Sequence, residues 1–182
     1  MKKQGLAQNF FLQNDEKRRN IGRGVVESGG KWGINMLMGE YNHNIDDKGR
    51  LIIPAKFRDE LGSEFIITKG LENCLFIYPI NNWNKIINKL KTLPFTKKDA
   101  RTFMRFFLAS ANNSELDKQG RINIANNLLA YAGIKKECVI IGVLDRLEIW
   151  DKAIYEKTIT DNYDSFSDIA ENLFEGDFDD IA

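Results

Sequence analysis

The chain is poor in the side chains on which most catalytic and metal-binding sites depend. Among its 182 residues there is one histidine, His43, and there are two cysteines, Cys74 and Cys138. A single histidine cannot build a multi-histidine metal site, and a Ser/His/Asp triad would rest on it entirely. The cysteines lie inside apolar runs without CxxC spacing, which argues against a zinc ribbon or a disulfide scaffold and fits a reducing cytoplasm. No apolar run approaches the roughly 18 residues that mark a membrane-spanning helix. Near the N-terminus Phe10 and Phe11 sit among Gln and Asn, unlike the core of an export signal. Membrane spanning, Sec export, a cofactor and a small-molecule substrate are therefore not expected. Gly22-Arg23-Gly24 and Gly29-Gly30-Lys31 lack the preceding strand and the remaining residues of a phosphate loop. The adjacent carboxylates Asp46 and Asp47 near His43 point to different faces of an extended segment, whereas an acid and a base must converge on one substrate. The chain does not read as an enzyme.

Excess charge of one sign is also missing overall, with 26 basic and 26 acidic residues, but the balance is uneven along the chain. Residues 1–35 hold seven basic and three acidic side chains, 36–150 hold 17 and 13, and 151–182 hold two and ten. An acidic tail thus masks a mildly basic middle, which permits nucleic-acid binding without demanding it. From Asp161 to Asp180 two readings stand: a solvated acidic tail, or a helix with Phe166, Ile169, Ala170 and Leu173 on one face.

What the chain does contain is an internal repeat. Asp46-Asp47-Lys48-Gly49-Arg50-Leu51-Ile52-Ile53-Pro54 returns as Asp117-Lys118-Gln119-Gly120-Arg121-Ile122-Asn123-Ile124-Ala125, displaced by 71 positions. Phe57 with Leu128, Leu61 with Ala132 and Gly62 with Gly133 keep that displacement, and Leu75, Ile77 and Tyr78 match Leu147, Ile149 and Trp150 at 72. Each copy predicts a hairpin whose turn is Asp-x-x-Gly, because glycine accepts positive φ and aspartate bonds nearby backbone N–H groups. Pro54 then suits the first position of a short helix with Phe57 and Leu61 on one face and Gly62 at its end. Asn126 to Ala132 with Gly133 repeats the design. A second hairpin follows in each copy, Phe65–Thr68 with Cys74–Tyr78 and Cys138–Ile141 with Leu147–Trp150.

Four strands and a short helix bury little surface alone, so the two copies are expected to share one core in a closed, barrel-like α+β domain. A two-helix connector joins them. Trp83, Ile86, Ile87 and Leu90 form one helical stripe, and Phe103, Met104, Phe107 and Leu108 the next. Thr96 with Asp99 resembles a capping box, and Arg101 and Arg105 fall on a solvated face. The expected organisation is an N-terminal extension (1–35), repeat 1 (40–82), the connector (83–110), repeat 2 (111–154) and the acidic tail (155–182).

A long basic side chain at a duplicated turn suits contact with phosphates or base edges, since arginine offers a planar fork of donors. Equally, Arg50 and Arg121 can pair with Asp46 and Asp117 to hold the turns. The two readings are compatible, because an acidic neighbour can preorient a DNA-reading arginine while diluting the local positive field.

From Met36 to about Trp150 the chain resembles the MraZ family of bacterial transcriptional regulators, built from two SpoVT/AbrB-type repeats. The resemblance rests on MLMGEY, DDKGRLIIPAKFR, FFLASANNSELDKQGRI and LEIWD occurring in the family's order. It implies a duplicated swapped-hairpin AbrB-like β-barrel, a homo-oligomeric ring, and double-stranded DNA as partner. It further implies nucleoid-associated repression of the division and cell wall gene cluster and of its own promoter, through G-rich direct repeats. Carried onto this sequence, it makes Arg50 and Arg121 the leading DNA contacts, with Asp46, Gly49, Asp117 and Gly120 structuring the turns. Lys48, Lys56, Arg58 and Lys118 become phosphate-contact candidates. In the second copy Asn126 and Asn127 stand near the positions of Lys56 and Phe57, and Ala125 replaces Pro54, so unequal contributions are expected. An alternative is an oligomeric assembly module without direct DNA binding, with Phe103, Phe106 and Phe107 packing between protomers.

Family members usually begin at a position equivalent to Met36, so residues 1–35 carry two expectations. Lys17-Arg18-Arg19 and Arg23 would suit a basic arm on phosphates. Alternatively, translation starts natively at Met36 and the extension is translated leader DNA, the reading preferred here. Trp32-Gly33 requires TGGGGN, and a Ser28 codon ending in T places another TGG 10 nucleotides upstream. That spacing equals one DNA turn of roughly 10 base pairs.

Overall fold

Why the duplicated motif does not simply make two hairpins is clear from strand lengths. The computed structural model describes residues 36–174, so the expectations for the N-terminal extension and for the end of the acidic tail lie outside the described residues. Repeat 1 runs β1 (Leu37–Asn44), β2 (Arg50–Ile52), α1 (Ala55–Leu61), β3 (Glu64–Lys69) and β4 (Cys74–Pro79). The connector holds α2 (Ile80–Lys91) and α3 (Lys98–Leu108). Repeat 2 runs β5 (Asn112–Glu115), β6 (Arg121–Asn123), α4 (Asn126–Ala132), β7 (Glu137–Leu144) and β8 (Arg146–Asp151). Then come α5 (Lys152–Asn162), a 3-10 turn (Tyr163–Ser165) and α6 (Phe166–Phe174).

The predicted order of strand, strand, helix, strand, strand therefore appears twice, but the pairing corrects the first predicted hairpin in each copy. The three-residue β2 cannot satisfy the eight-residue β1, which instead runs its full length against β7 of the other repeat, with Tyr41 opposite Ile140. Likewise β5 pairs with β3, and β2 pairs with β6. The second hairpins, β3–β4 and β7–β8, form as predicted. The barrel also fails to close. The six-stranded antiparallel sheet runs β1-β7-β8-β4-β3-β5 with β1 and β5 as its edges, and β2 with β6 forms a separate two-stranded ribbon. Closure would require β1 to ladder against β5, whose four residues, Asn-Asn-Ser-Glu, bring no apolar face to a barrel interior.

One core does serve both copies, as duplication predicts. Leu51, Ile53, Phe57 and Leu61 meet Ile122, Ile124, Leu128 and Ala132 beneath the sheet, with Tyr41 edge-on to Phe57 at 5.2 Å. The other sheet face is covered by the connector, where Ile66, Cys74, Phe76, Tyr78 and Trp150 pack on Trp83, Leu90 and Phe107. Burial on both faces explains why β4 reads as an unbroken apolar run. Desolvation there pushes the Cys74 thiol up to about 12, and burial does the same to Cys138. Both are inert core side chains.

Local signals mostly hold, with three corrections. Pro54 and Ala125 both stand one residue before their helices with the same extended geometry (ψ 135 and 141), so losing the proline leaves the second copy's backbone unchanged. Lys97, not Thr96, precedes α3 and no side chain caps it; Arg101 instead donates from Nη1 to the carbonyls of Phe95 and Thr96. Phe107, expected between protomers, is buried in this chain's own second core, where Phe103 stacks on it at 5.5 Å. In the tail, the predicted apolar stripe lies on α6, where Phe166, Ile169 and Leu173 remain exposed.

A small polar joint fastens the connector to the sheet. The buried Thr68 Oγ1 donates to Phe107 O at 2.7 Å and shares a bond with Ser110 Oγ at 2.9 Å. Because Ser110 Oγ also reaches Phe107 O at 3.1 Å, Thr68→Val leaves that carbonyl satisfied. The expected loss is about 1 kcal/mol, read as a melting temperature lower by about 2–4 °C.

Candidate functional site

The two Asp-x-x-Gly-Arg segments fold as one and the same turn. In the first, Asp46 Oδ1 accepts from the N–H groups of Lys48 (3.0 Å) and Arg50 (2.9 Å), while the Gly49 N–H donates to Asp46 O at 2.9 Å. In the second, Asp117 Oδ1 accepts from Gln119 (2.8 Å) and Arg121 (2.9 Å), and Gly120 N–H donates to Asp117 O at 2.9 Å. Gly49 and Gly120 take φ of 75° and 73°, which the turn requires and which other residues enter at a cost. The turn-structuring roles of Asp46, Gly49, Asp117 and Gly120 thus have a direct geometric basis.

Each arginine is held by its aspartate through one oxygen. Arg50 Nε and Nη2 lie 2.7 and 2.6 Å from Asp46 Oδ2, and Arg121 Nε and Nη2 both lie 2.7 Å from Asp117 Oδ2. This uses the inner edge of the guanidinium and leaves the outer Nη1/Nη2 edge without a protein acceptor among the described residues. The pairing of each arginine with its aspartate is thus present in both turns, with the outer edge facing away from it.

Pairing of β2 with β6 merges two motifs 71 positions apart into one surface. Arg50 faces Asn123, Leu51 faces Ile122 and Ile52 faces Arg121. Leu51 and Ile122 point into the core, so alternation turns Arg50, Ile52, Arg121 and Asn123 outward together. Arg50 and Arg121 are diagonal neighbours, a relation that places Cα atoms about 7–8 Å apart. The turns also bond across the ribbon, with Ile53 N–H donating to Gly120 O at 2.9 Å and Ile124 N–H to Gly49 O at 2.8 Å. The two motif turns thus form a single composite surface.

The remaining candidates scatter. Lys48 and Lys118 stand exposed on the turns themselves. Arg58 lies half-buried against the second turn: its guanidinium packs on Gly120 and its Nε donates to Ile53 O at 2.8 Å. At the matching place on the first turn, Leu129 packs on Gly49. Lys56 is exposed on α1, with its ammonium beside Gly39 of β1 rather than at the ribbon. Ile52 and Asn123, which the sequence reading did not single out, share the arginines' face of the ribbon; the signal was the strand alternation that puts every second residue beside an arginine. His43, whose imidazole pKa burial lowers, lies on β1 beside no second histidine or cysteine cluster, and no metal-binding group of three or more ligands occurs among the described residues.

Asp46 is held down at about 2, against an ordinary 3.8, chiefly by the Arg50 guanidinium it accepts from; Asp117 is lowered too, first by the backbone N–H of Arg121. Asp117 also helps raise Arg50, so the two turns share one electrostatic field. A depressed carboxyl contributes order above its unfolded value and loses it as pH falls through the folded one. The first turn should accordingly hold at pH 4 and above and open between about 4 and 2, and the second should likewise loosen as pH falls below the ordinary carboxylate range. Carbon-detected carboxyl titration should give Asp46 a midpoint near 2, moving back toward 3.8 in Arg50→Ala.

The fold and the site define a tandem-repeat α+β protein whose twin acidic-basic turns converge on one exposed ribbon. The chain belongs to the MraZ family: the family model described as "MraZ protein, putative antitoxin-like" matches residues 36–106 and again 107–177. That family is one of transcriptional regulators, in general DNA-binding. No helix among the described residues is long and apolar enough to cross a membrane.

Proposed function

We propose that the β2–β6 ribbon reads duplex DNA in a sequence-specific manner, and that Arg50 and Arg121 are its principal contacts. One observation carries the proposal: strand pairing sets both arginines on one exposed face, each preoriented by its aspartate with the outer fork free. That fork matches the O6/N7 edge of guanine, and a two-stranded ribbon fits the major groove, about 12 Å wide. Lys48, Lys118 and Arg58 flank it as phosphate contacts, with Lys56 farther off on α1. Because each arginine carries its own carboxylate, a single ribbon attracts DNA weakly, and strong binding needs several subunits acting at once on repeated sites.

On this reading the protein represses the division and cell wall gene cluster and its own promoter through G-rich direct repeats, as a nucleoid-associated homo-oligomeric ring. The exchange of β1 and β5 between repeats supports an AbrB-like, swapped-hairpin classification. The exposed stripe of Phe166, Ile169 and Leu173 favours a second, compatible role in assembly. The test is a binding titration of the full chain against duplex from its own upstream region and a scrambled duplex, at two salt concentrations. Selective binding that persists at the higher salt supports the proposal. Equal binding to both duplexes, vanishing with salt, leaves only the assembly role.

A further inference from the structure

The two turns are near copies, but the ribbon between them is not. At the third strand position Ile52 of the first copy corresponds to Asn123 of the second, so the exposed face reads Arg50 and Ile52 on one strand and Arg121 and Asn123 on the other. Ile52 is 46% exposed, on a face that covers no core. It stands opposite a charged guanidinium and gains nothing there from burial. Asn123 is exposed beside the Gly49 turn, and its amide has no hydrogen-bond partner among the described residues. Strand propensity accounts for Ile52, a β-branched residue favoured in strands, but not for Asn123, since asparagine is depleted there.

We infer that Ile52 and Asn123 are specificity-determining residues of the ribbon, which contact base edges in the major groove and give the reading surface a direction. The inference rests on the duplex-reading proposal above. The chemistry of the two side chains differs as base recognition differs: an amide offers the paired donor and acceptor that match adenine N7 and N6, and an apolar side chain suits the thymine methyl group. A ribbon with the same residue at both positions would keep the local twofold relation of its strands and read either orientation of a site alike, as symmetric readers pair with palindromes. With isoleucine on one strand and asparagine on the other, that equivalence is lost. The ribbon then prefers an asymmetric site in one orientation, with guanines under the arginines and an A·T pair beside each.

The experiment is selection of the full chain on a pool of randomised duplex DNA, followed by titration of the winning duplex and its single-base variants. Wild type, Asn123→Ala, Ile52→Ala, Ile52→Asn and Arg50→Ala would be compared, with circular dichroism confirming the fold of each. Asn123→Ala should flatten the preference at one base pair by about tenfold or more while the salt slope stays unchanged. Ile52→Ala should flatten another more weakly, and Ile52→Asn should turn the preference there from thymine to adenine. If the Ile52 and Asn123 variants select the wild-type motif with undiminished preference while Arg50→Ala loses it, the inference is overturned and the duplex-reading proposal survives. A reduced salt slope in Asn123→Ala would also overturn it, by making the residue a phosphate contact. If wild type selects no motif, the duplex-reading proposal fails first and this inference with it.

Discussion

Alanine at both Arg50 and Arg121 should abolish selective duplex binding and leave the fold intact. Each side chain lies partly exposed at the surface outside both cores, and its ion pair with Asp46 or Asp117 is solvent-accessible, a class of interaction that contributes little to stability. Its proposed contact is a different matter, because a two-pronged arginine–guanine match discriminates strongly against other bases. Either single change should weaken the selected duplex by about tenfold to a hundredfold. The double change should approach the affinity for scrambled DNA. The losses need not multiply, since the arginines are diagonal neighbours in one ribbon and Asp117 already acts on Arg50. Removing Arg50 also uncovers the Asp46 carboxylate, which then repels phosphate. Asp46→Asn with Arg50→Ala should consequently recover some non-selective binding compared with Arg50→Ala alone, without recovering selectivity. Arg50→Lys should behave much like alanine for selectivity, because an ammonium cannot hold Asp46 and present a planar fork together. Anisotropy titrations at two salt concentrations separate these effects. Full selectivity in the double variant would remove the arginines from the reading site.

Much of this was legible in the sequence. The repeat, the helices ending at Leu61 and Ala132, the second hairpins and the shared core all follow from short-range patterns, turn chemistry and a common displacement of 71 to 72. The first hairpins were misread because the signal for Asp-x-x-Gly is a signal for a turn, not for which strands flank it in space. Tyr41 faces Ile140 and Leu51 faces Ile122, choices made by strand length and burial across about a hundred and about seventy residues. For the same reason nothing in the sequence sets the two arginines side by side. Only the β2–β6 pairing shows them as one surface, and only that pairing draws Ile52 and Asn123 into it. The unequal support of the turns, Arg58 on one and Leu129 on the other, likewise arises from helices that cross to the opposite motif.

That inequality predicts different outcomes for the same substitution at the two glycines. Both take positive φ, so alanine at either meets the left-handed penalty of about 1–2 kcal/mol. At Gly49 the new Cβ would lie 2.8 Å from Ile124 O, a backbone atom held in the ribbon beside the bond from Ile124 N–H to Gly49 O. It cannot move without parting β2 from β6. At Gly120 the Cβ meets the end of the Arg58 side chain, which can swing away at the loss of its bond to Ile53 O, about 1 kcal/mol. Gly49→Ala should therefore be the more destabilising, by more than about 2 kcal/mol in all, and should disturb the ribbon in both repeats. Gly120→Ala should be milder, and adding Arg58→Ala should cost less in that background than in wild type, because the clash and the bond have already gone. Leu129→Ala should bring no such relief to Gly49→Ala, since Leu129 Cδ1 stands at an ordinary 3.6 Å from the added carbon. Urea unfolding midpoints for the four single variants and the two double variants measure each term. Equal losses at Gly49 and Gly120, with no coupling to Arg58, would mean that φ alone sets the cost and that the two turns are supported alike.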